Sequence, residues 1–466
     1  MSERSYQAVM QRKEEIIKRA VGLDYSEFVR PYGFDYEALL AAVPYTLEEV
    51  AAIQRELGVG NTPLIELKNL TAAVRKAAKP GYGARIAIKD EAQNPSGSFK
   101  ARRAALSVHE AKRLGYPGVV AATSGNYGAA VAAMAAKLNL PCIVVQECYD
   151  SRGIGQPEIL EKQRACEALG AEVIQLSVGP ELFYETLAIL EETGYYNASL
   201  YAPAAIRGIE TLGVEIAEQS LSQFGKYPEH VIVTNAGGGN LTGTARGLQQ
   251  AGASSEVHAA SVDLTGLHMA SDHDFNRKSF TTGHTGFGIP FTVQPDRSDV
   301  PINAARPLRY LDSYILVKQG EVFFATEALA ALEGIERGPA GNTSLAAAIA
   351  LAATLPEDQL IVVQETEYTG AGKMPSAQLS FAKEQGIELI FGDPEQEVPG
   401  QNIVLPERFE EIKLRYYPLS HLRASALKRR LGERSLESID EKTRDFLAAE
   451  LGLMPEAFDE FLRTLD

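Results

Sequence analysis

The sequence is poor in cysteine, in positive charge and in long apolar runs. Its three cysteines, Cys142, Cys148 and Cys166, are too few and too irregularly placed for a disulfide framework or a Cys-x-x-Cys metal site. No run approaches the roughly 18 uncharged apolar residues of a membrane span, and the charged N-terminus has no apolar signal core. A formal net charge of -16 disfavours a nucleic-acid or anionic-membrane surface. We therefore expect a cytoplasmic protein that binds neither a membrane nor nucleic acid, and we expect no metal site.

The chain is long enough for two or three domains of about 100–200 residues each. Short β-branched runs alternate with longer Ala- and Leu-rich stretches along much of it. The runs are RIAIKD, GVVAAT, CIVVQE, EVIQLS, HVIVTN, VHAASV and LIVVQE. Strands that are rich in Val and Ile on both faces must be covered on both sides. The pattern predicts an α/β fold in which helices cover a mostly parallel sheet.

Clusters of Gly, Ser, Thr and Asn follow several of these strands, where parallel α/β folds bind their ligands. In NPSGSFK, Lys100 lies beside a Ser/Gly turn at the start of an amphipathic helix. The helix dipole and burial both favour the neutral amine, which can hold an aldehyde as an imine. Taken alone, the pattern fits a solvent-facing lysine equally well.

Two further clusters are typical of anion sites. TSGNYG opens an Ala-rich helix, so its backbone N–H groups suit a carboxylate, and Asn126 adds an amide donor; an ordinary strand-to-helix turn is the alternative. In NAGGGNLTG, three glycines let backbone amides approach a phosphate closely, whereas the G-x-G-x-x-G spacing of dinucleotide enzymes is absent. After the last strand run, a hydroxyl of Thr366 or Thr369 could meet a pyridine nitrogen, or either residue is a turn residue only.

In this order, these three clusters and the segment ETEYTGAGK after the last strand run resemble those of the fold type II pyridoxal-phosphate (PLP) enzymes, the tryptophan synthase β family, over residues 60 to 395. The resemblance implies that Lys100 forms the imine with PLP, that Phe99 lies against the cofactor and that Asn126 contacts the ring hydroxyl. It also implies a substrate-carboxylate loop, a phosphate loop, a pyridine-nitrogen partner and a segment flanking the ring: Ser124, Gly125, Asn126, Tyr127 and Gly128; Gly237, Gly238, Gly239 and Asn240; Thr366; Glu333 and Gly334. Asn240 stands where many members of the family have a glycine. The Ser/Thr-Gly that follows the last strand in the family is expanded to TEYTG here, so Thr369 stays open as the alternative to Thr366 for the pyridine-nitrogen partner.

The resemblance further implies two three-layer αβα domains with the cofactor between them. The larger would comprise residues 61–117 and 206–395, and the smaller residues 118–205. An N-terminal helical extension, 1–60, would precede them. After about residue 396 the sheet pattern stops, so residues 396–466 are expected to form a helical appendage.

Longer stretches, among them VVQECYDSRGIGQPEI, TGHTGFGIPF and VVQETEYTGAGK, resemble the β subunits of 2-amino-4-oxopentanoate thiolases, which act in ornithine degradation. This resemblance implies cleavage of the substrate with coenzyme A to acetyl-CoA and alanine, a small α subunit and a homodimer of this chain. His284 would polarise the 4-oxo group or handle a proton. Basic residues for the coenzyme A phosphates would come from Arg277, Lys278, Arg297, Arg306 and Arg309. A covalent mechanism through Cys148 is disfavoured, because nothing in the sequence lowers its pKa.

Two alternatives stay open at this point. The first is another fold type II enzyme, such as a threonine or serine dehydratase, a threonine synthase or a cysteine synthase-like enzyme. The second is a non-catalytic ligand-binding subunit that keeps the phosphate loop. Lys100 speaks against the second, since such a subunit has no need of the imine lysine.

Overall fold

The computed structural model describes residues 4–123, 125–149, 153–155, 157–177, 181–198, 202–264, 307–368, 375–432 and 439–464. The helices are α1 (Tyr6–Gln11), α2 (Lys13–Val21), α3 (Tyr36–Ala41), α4 (Leu47–Glu56), α5 (Lys68–Ala77), α6 (Lys100–Arg113), α7 (Asn126–Leu138), α8 (Pro157–Ala168), α9 (Glu181–Thr193), α10 (Pro203–Phe224), α11 (Gly239–Gln250), α12 (Gln319–Glu333), α13 (Thr343–Ala352), α14 (Pro375–Glu384), α15 (Leu419–Leu431), α16 (Glu441–Glu450) and α17 (Pro455–Arg463). The strands are β1 (Val29–Arg30), β2 (Gly33–Phe34), β3 (Leu64–Glu66), β4 (Arg85–Asp90), β5 (Val119–Thr123), β6 (Cys142–Tyr149), β7 (Glu172–Ser177), β8 (Tyr196–Asn197), β9 (His230–Thr234), β10 (Glu256–Val262), β11 (Ser313–Val317), β12 (Leu360–Glu365), β13 (Glu388–Phe391), β14 (Asn402–Leu405) and β15 (Arg415–Tyr417).

Two main sheets organise the chain. The larger has the order β15-β11-β10-β9-β12-β4-β3, and its five central strands run parallel while β15 and β3 are antiparallel edges. The smaller has the order β7-β6-β5-β8 and is parallel throughout. Each of the seven strand runs predicted from the sequence forms a strand of one sheet or the other.

The strands of the larger sheet bury both faces. In β9, Val231 and Val233 pack with residues of α10 and α11, whereas Ile232 packs on the opposite face with residues of α12 and α13. This alternation is the period of two that a strand imposes on its side chains. Helices therefore cover the sheet on both sides, as the Val- and Ile-rich runs predict. The smaller sheet likewise packs against α6 and α7 on one face and α9 on the other.

The segment after residue 396 differs from the prediction. Besides α15, α16 and α17, it contains β14 and β15, and β15 pairs with β11 at the edge of the larger sheet. The expectation of a purely helical appendage is wrong here, because strands this short carry too little periodicity to be recognised in the sequence.

A buried ionic cluster fixes α6 against α10. The Arg102 guanidinium is fully buried and donates from Nε and Nη2 to both carboxylate oxygens of Glu91, at 2.7 and 2.9 Å. Its Nη1 and Nη2 also donate to Glu215 of α10, at 2.9 and 2.7 Å. Burial raises the pKa of Glu215, but Arg102 and Lys89 outweigh it and lower that pKa to about 2. The cluster holds the start of α6, and with it Lys100, in a defined position.

None of the helices in the described ranges is both long and apolar enough to cross a membrane.

Candidate active site

Lys100 is fastened to the end of β12 by backbone pairing. It opens α6 directly after the turn that follows β4, and in that turn Ser98 forms an antiparallel bridge with Glu367. Phe99 N donates to Thr366 O at 3.0 Å, and Tyr368 N donates to Gly97 O at 2.7 Å. Lys100 and Glu367, which are 267 residues apart in sequence, thereby meet at the carboxyl ends of adjacent parallel strands.

The amine of Lys100 meets a buried carboxylate that the sequence did not predict. Lys100 Nζ donates to Glu367 Oε2 at 2.7 Å, and Lys162 Nζ of α8 lies 3.8 Å from Glu367 Oε1. The side chains of Glu367 and Lys162 are only 6% and 7% exposed. When both amines are protonated, the carboxylate that they share leaves a net positive charge, which suits an anionic substrate.

Burial and pairing act in opposite directions on these groups. Desolvation lowers the pKa of Lys100, and Glu367 only partly restores it. Burial raises the pKa of Glu367, but the two lysines outweigh this effect and lower it to about 2. The site therefore holds an ionised carboxylate beside an amine that loses its proton more readily than a free lysine, as a Schiff-base lysine requires.

The predicted carboxylate loop lies at the junction of β5 and α7. Thr123 Oγ1 accepts from Gly125 N at 2.9 Å and from Gly128 N at 3.3 Å, which shapes the turn. A Cβ on Gly125 would lie 3.1 Å from the Lys162 side chain, so the loop and the second lysine are neighbours. Asn126 Nδ2 is buried and makes no hydrogen bond of normal geometry among the described residues, although Asn126 lies near enough to Glu367 to help lower its pKa. A buried amide donor of this kind indicates a place for a ligand acceptor.

Other predicted members of this loop are placed differently. Tyr127 is 1% exposed and its ring packs in the core of the smaller sheet. Gly128 serves the packing of α7, since a Cβ there would come within 2.7 Å of Thr123 and 2.8 Å of Val144. Only their backbones are available to a substrate. Ser124 lies outside the described residues.

The predicted phosphate loop follows β9 and opens α11. Gly238 has a φ of +87°, and a Cβ there would lie 1.9 Å from Pro307 Cγ, so only glycine fits. Gly237, Gly238 and Gly239 present backbone amides at the N-terminus of a 12-residue helix. The Asn240 side chain pairs with Gln364 of β12 in two hydrogen bonds of 2.9 Å. Its contribution to a phosphate is therefore confined to the backbone.

The remaining predicted residues fall into three groups. The Phe99 ring lies beside the amine, with Lys100 Nζ 4.8 Å from its centroid. Thr366 is buried and engages Phe99 through its backbone, and Glu333 Oε1 accepts from Leu70 N at 2.7 Å, which binds it to α5. A contact of Thr366 or Glu333 with the cofactor stays a prediction. Others lie outside the described residues, namely His284, Thr369, Arg277, Lys278, Arg297 and Arg306.

Two further hypotheses from the sequence concern Arg309 as a coenzyme A contact and Cys148 as a nucleophile. Arg309 Nη1 pairs with Glu450 of α16 at 3.3 Å, so its proposed role at coenzyme A competes with a contact to the C-terminal helices. Cys148 is buried, and burial raises the pKa of its thiol to about 11. A thiol in that environment is a poor nucleophile, which agrees with the sequence argument against a covalent cysteine mechanism.

Comparison with known proteins identifies the family of the chain. The family described as pyridoxal-phosphate dependent enzyme matches residues 55–367. The chain is 62% identical over 447 residues to a protein named 2-amino-4-ketopentanoate thiolase beta subunit from Acetoanaerobium sticklandii, covering 96% of this chain and 95% of the relative. A second protein of that name, from an unknown prokaryotic organism, is 62% identical over 95% of this chain and 94% of its own.

Solved structures share the fold at lower identity. A threonine deaminase from T.th. superposes with a TM-score of 0.52 at 24% identity, covering 69% of this chain and 98% of the other. O-ureido-L-serine synthase gives a TM-score of 0.53 at 22% identity, covering 70% and 93%. The predicted fold class is confirmed. The chain belongs to the fold type II pyridoxal-phosphate dependent enzymes and, within them, to the family of 2-amino-4-ketopentanoate thiolase beta subunits.

Proposed function

We propose that this chain is the catalytic β subunit that cleaves 2-amino-4-oxopentanoate with coenzyme A to acetyl-CoA and alanine. The observation that supports the proposal beyond family membership is the group of Lys100, Glu367 and Lys162. In this group the buried Glu367 side chain contacts two lysine amines, next to the predicted loop for the substrate carboxylate. One amine serves the cofactor, and the other serves the 4-oxo group of the substrate.

The residues present fit PLP. The turn at Gly238 has room for backbone only, Asn126 offers a buried amide donor, and Lys100 is an amine whose pKa is lowered by burial. When bound, PLP supplies an electron sink for the electron pairs released at the substrate's Cα and Cβ. Lys100 would hold it, and backbone amides of Gly237 to Asn240 would bind its phosphate.

The chain's own groups account for the remaining steps. The loop at Gly125 and Asn126 binds the substrate carboxylate, and Lys100 Nζ takes the proton from Cα. The thiol sulfur of coenzyme A then adds to C4, and the carbonyl electron pair moves to oxygen. When the C4 carbonyl re-forms, the C3–C4 bond breaks, and C3 takes up one proton in place of the one that the thiol released on addition. Lys100 Nζ returns the other proton to Cα, which completes alanine. Lys162 stabilises the oxygen anion on C4, with Glu367 holding the ammonium in place.

Lys162→Met is expected to separate the two halves of this reaction. Losing one buried oxyanion donor should lower kcat/KM for thiolysis by about 10²–10³-fold. Exchange of the alanine α-proton in D2O needs Lys100 but no oxyanion at C4, so it should stay within about 10-fold of wild type. Both rates are measured on the same preparation, by acetyl-CoA formation and by NMR.

Arg164→Met is the matched control, because Arg164 is an exposed cation on the same helix, α8. It should change neither rate. Equal losses of thiolysis and exchange in Lys162→Met would show that Lys162 supports the site as a whole and does not act at C4.

Gly238→Ala is expected to weaken PLP binding at least about 10-fold, since alanine at a φ of +87° is strained and its Cβ collides with Pro307. Gly252→Ala is the control: its φ of +72° imposes similar strain at the other end of α11, but a Cβ there meets nothing within 4 Å. Equilibrium titration of the cofactor-free enzyme with PLP compares the two. Equal affinities of the two variants for PLP would show that this glycine turn does not bind the phosphate of the cofactor.

The function itself is tested by assaying acetyl-CoA from 2-amino-4-oxopentanoate and coenzyme A, with and without a candidate α subunit. Formation of acetyl-CoA and alanine in equal amounts supports the proposal. Release of pyruvate from serine or oxobutyrate from threonine, without thiolysis, would instead assign the chain to the β-eliminating enzymes.

The partners follow from the same proposal. The names of the relatives as beta subunits support an α partner, and we propose that it is small, that this chain forms a homodimer and that both work in the cytoplasm. His284 is proposed to polarise the 4-oxo group together with Lys162. Thr366, or Thr369 in its place, is proposed to meet the pyridine nitrogen.

A further inference from the structure

Three metal-ligating side chains meet on one face of the larger sheet, away from the PLP site. In the parallel pairing of β9 with β10, Glu256 lies opposite His230 and His258 lies two residues further along β10. Side chains two apart on a strand share a face, so all three point the same way. His230 and Glu256 are the first residues of their strands and His258 is the third residue of β10, whereas the predicted phosphate loop follows the end of β9. The cluster therefore lies at the amino ends of these parallel strands, and the PLP site lies at their carboxyl ends.

The ligand atoms have the spacing of a metal site. His230 Nδ1 lies 3.0 Å from His258 Nε2, and Glu256 Oε2 lies 3.3 Å from the first and 3.7 Å from the second. In a tetrahedral zinc site with bonds of about 2.0–2.1 Å, ligand atoms are separated by about 3.3 Å. The three distances bracket that value, so a zinc ion needs movements of only a few tenths of an ångström.

In both imidazoles, the ring nitrogen that points away from the cluster lies within hydrogen-bond distance of a side-chain oxygen. His258 Nδ1 lies 2.7 Å from Ser313 Oγ, and His230 Nε2 lies 2.9 Å from Gln359 Oε1. Metal-bound histidines usually donate their second N–H to an oxygen in this way, which fixes the ring and turns the other nitrogen toward the metal. The two inner nitrogens here face each other and the carboxylate.

We propose that His230, His258 and Glu256 bind a zinc ion, with a water as fourth ligand. The two histidines are 7% and 3% exposed, while the Glu256 side chain is 58% exposed, so the ion would enter from the solvent side and keep an open position there. An ion at this place would tie β9 to β10 and, through Ser313, to β11 and, through Gln359, to the residue that precedes β12. Its effect would be on stability, since the PLP loops lie at the other end of these strands.

The test uses the full-length PLP enzyme, treated with EDTA and dialysed, with Co²⁺ as the spectroscopic probe and Zn²⁺ as its competitor. One Co²⁺ per chain with the visible bands of tetrahedral coordination, displaced by Zn²⁺, is expected. Glu256→Ala and Ser313→Ala should each weaken Zn²⁺ binding at least about 10-fold, the first by removing a ligand and the second by releasing a ring. Zn²⁺ should also raise the Tm of the wild type.

Glu172→Ala is the matched control, because Glu172 is an exposed glutamate at the first position of β7 in the smaller sheet. It should bind Zn²⁺ like the wild type. All variants should keep their PLP absorbance, which shows that they are folded. Wild type without tetrahedral Co²⁺ bands, or Glu256→Ala with unchanged Zn²⁺ affinity and spectrum, would overturn the proposal and assign any bound metal to other histidines of the chain.

Discussion

Lys100→Ala is expected to abolish thiolysis and the yellow colour of the lysine-bound cofactor. In the proposed mechanism the side chain supplies both the amine that holds PLP and the base that moves the Cα proton, so kcat/KM should fall by at least about 10³-fold. The absorption spectrum of the purified protein and the rate of acetyl-CoA formation measure the two losses. Exchange of the alanine α-proton should disappear as well, unlike in Lys162→Met.

Lys68→Ala provides the comparison, because Lys68 is also the first residue of a helix, α5, but is exposed. It should leave the colour and the rate unchanged. A coloured Lys100→Ala protein with thiolase activity would refute the role assigned to Lys100, and with it the interpretation of the Glu367 contact as an active-site pair.

Arg102→Gln is expected to produce the largest loss of stability. It leaves Glu91, which is fully buried, and Glu215 without their shared cation. Removing one partner of a buried ion cluster typically costs about 3–5 kcal/mol, a large part of the stability of a domain. Arg102→Lys keeps the charge but not the two-pronged donor geometry, and should fall between wild type and Arg102→Gln. Thermal and urea unfolding measure the order of the three proteins.

The control for this series lies on the same helix. Arg113 is 46% exposed, and its partner Glu110 also accepts a hydrogen bond from Tyr45, so Arg113→Gln should cost no more than about 1 kcal/mol. If Arg102→Gln were as stable as Arg113→Gln, the cluster would contribute nothing to holding α6. A lysine variant less stable than the glutamine variant would equally contradict the argument from charge.

The framework of the fold is predictable from the sequence because strand and turn signals are local. Runs such as HVIVTN and LIVVQE are rich in Val and Ile and become β9 and β12. The three glycines after β9 likewise indicate a turn in which a side chain does not fit, and Gly238 meets Pro307 there. Lys100 is recognisable because its turn, its helix start and its family pattern coincide in seven residues.

Glu367 and Lys162 escape prediction because no local signal marks them. Glu367 is one of two glutamates in ETEYTG, and only the bridge to Ser98 turns it toward Lys100. Lys162 lies in a helix among other charged residues, where a lysine ordinarily points to solvent. One sign in the sequence is that the residues at the end of β12 are polar, although a strand end that was buried only for packing would be apolar. Contacts between segments so far apart in the chain become visible only once the sheet order is known.

The end of β12 sets one length in the active site. Gln364 holds Asn240 of the phosphate loop, Thr366 O accepts from Phe99 N, and Glu367 binds the amine of Lys100. Four consecutive residues thus set the distance between the glycine turn that precedes Asn240 and the amine of Lys100. Since successive strand residues point to opposite faces, adding or deleting one residue here would turn Glu367 away while leaving Gln364 in place. The separation between the glycine turn after β9 and the Lys100 amine therefore depends on the number of residues in this short segment.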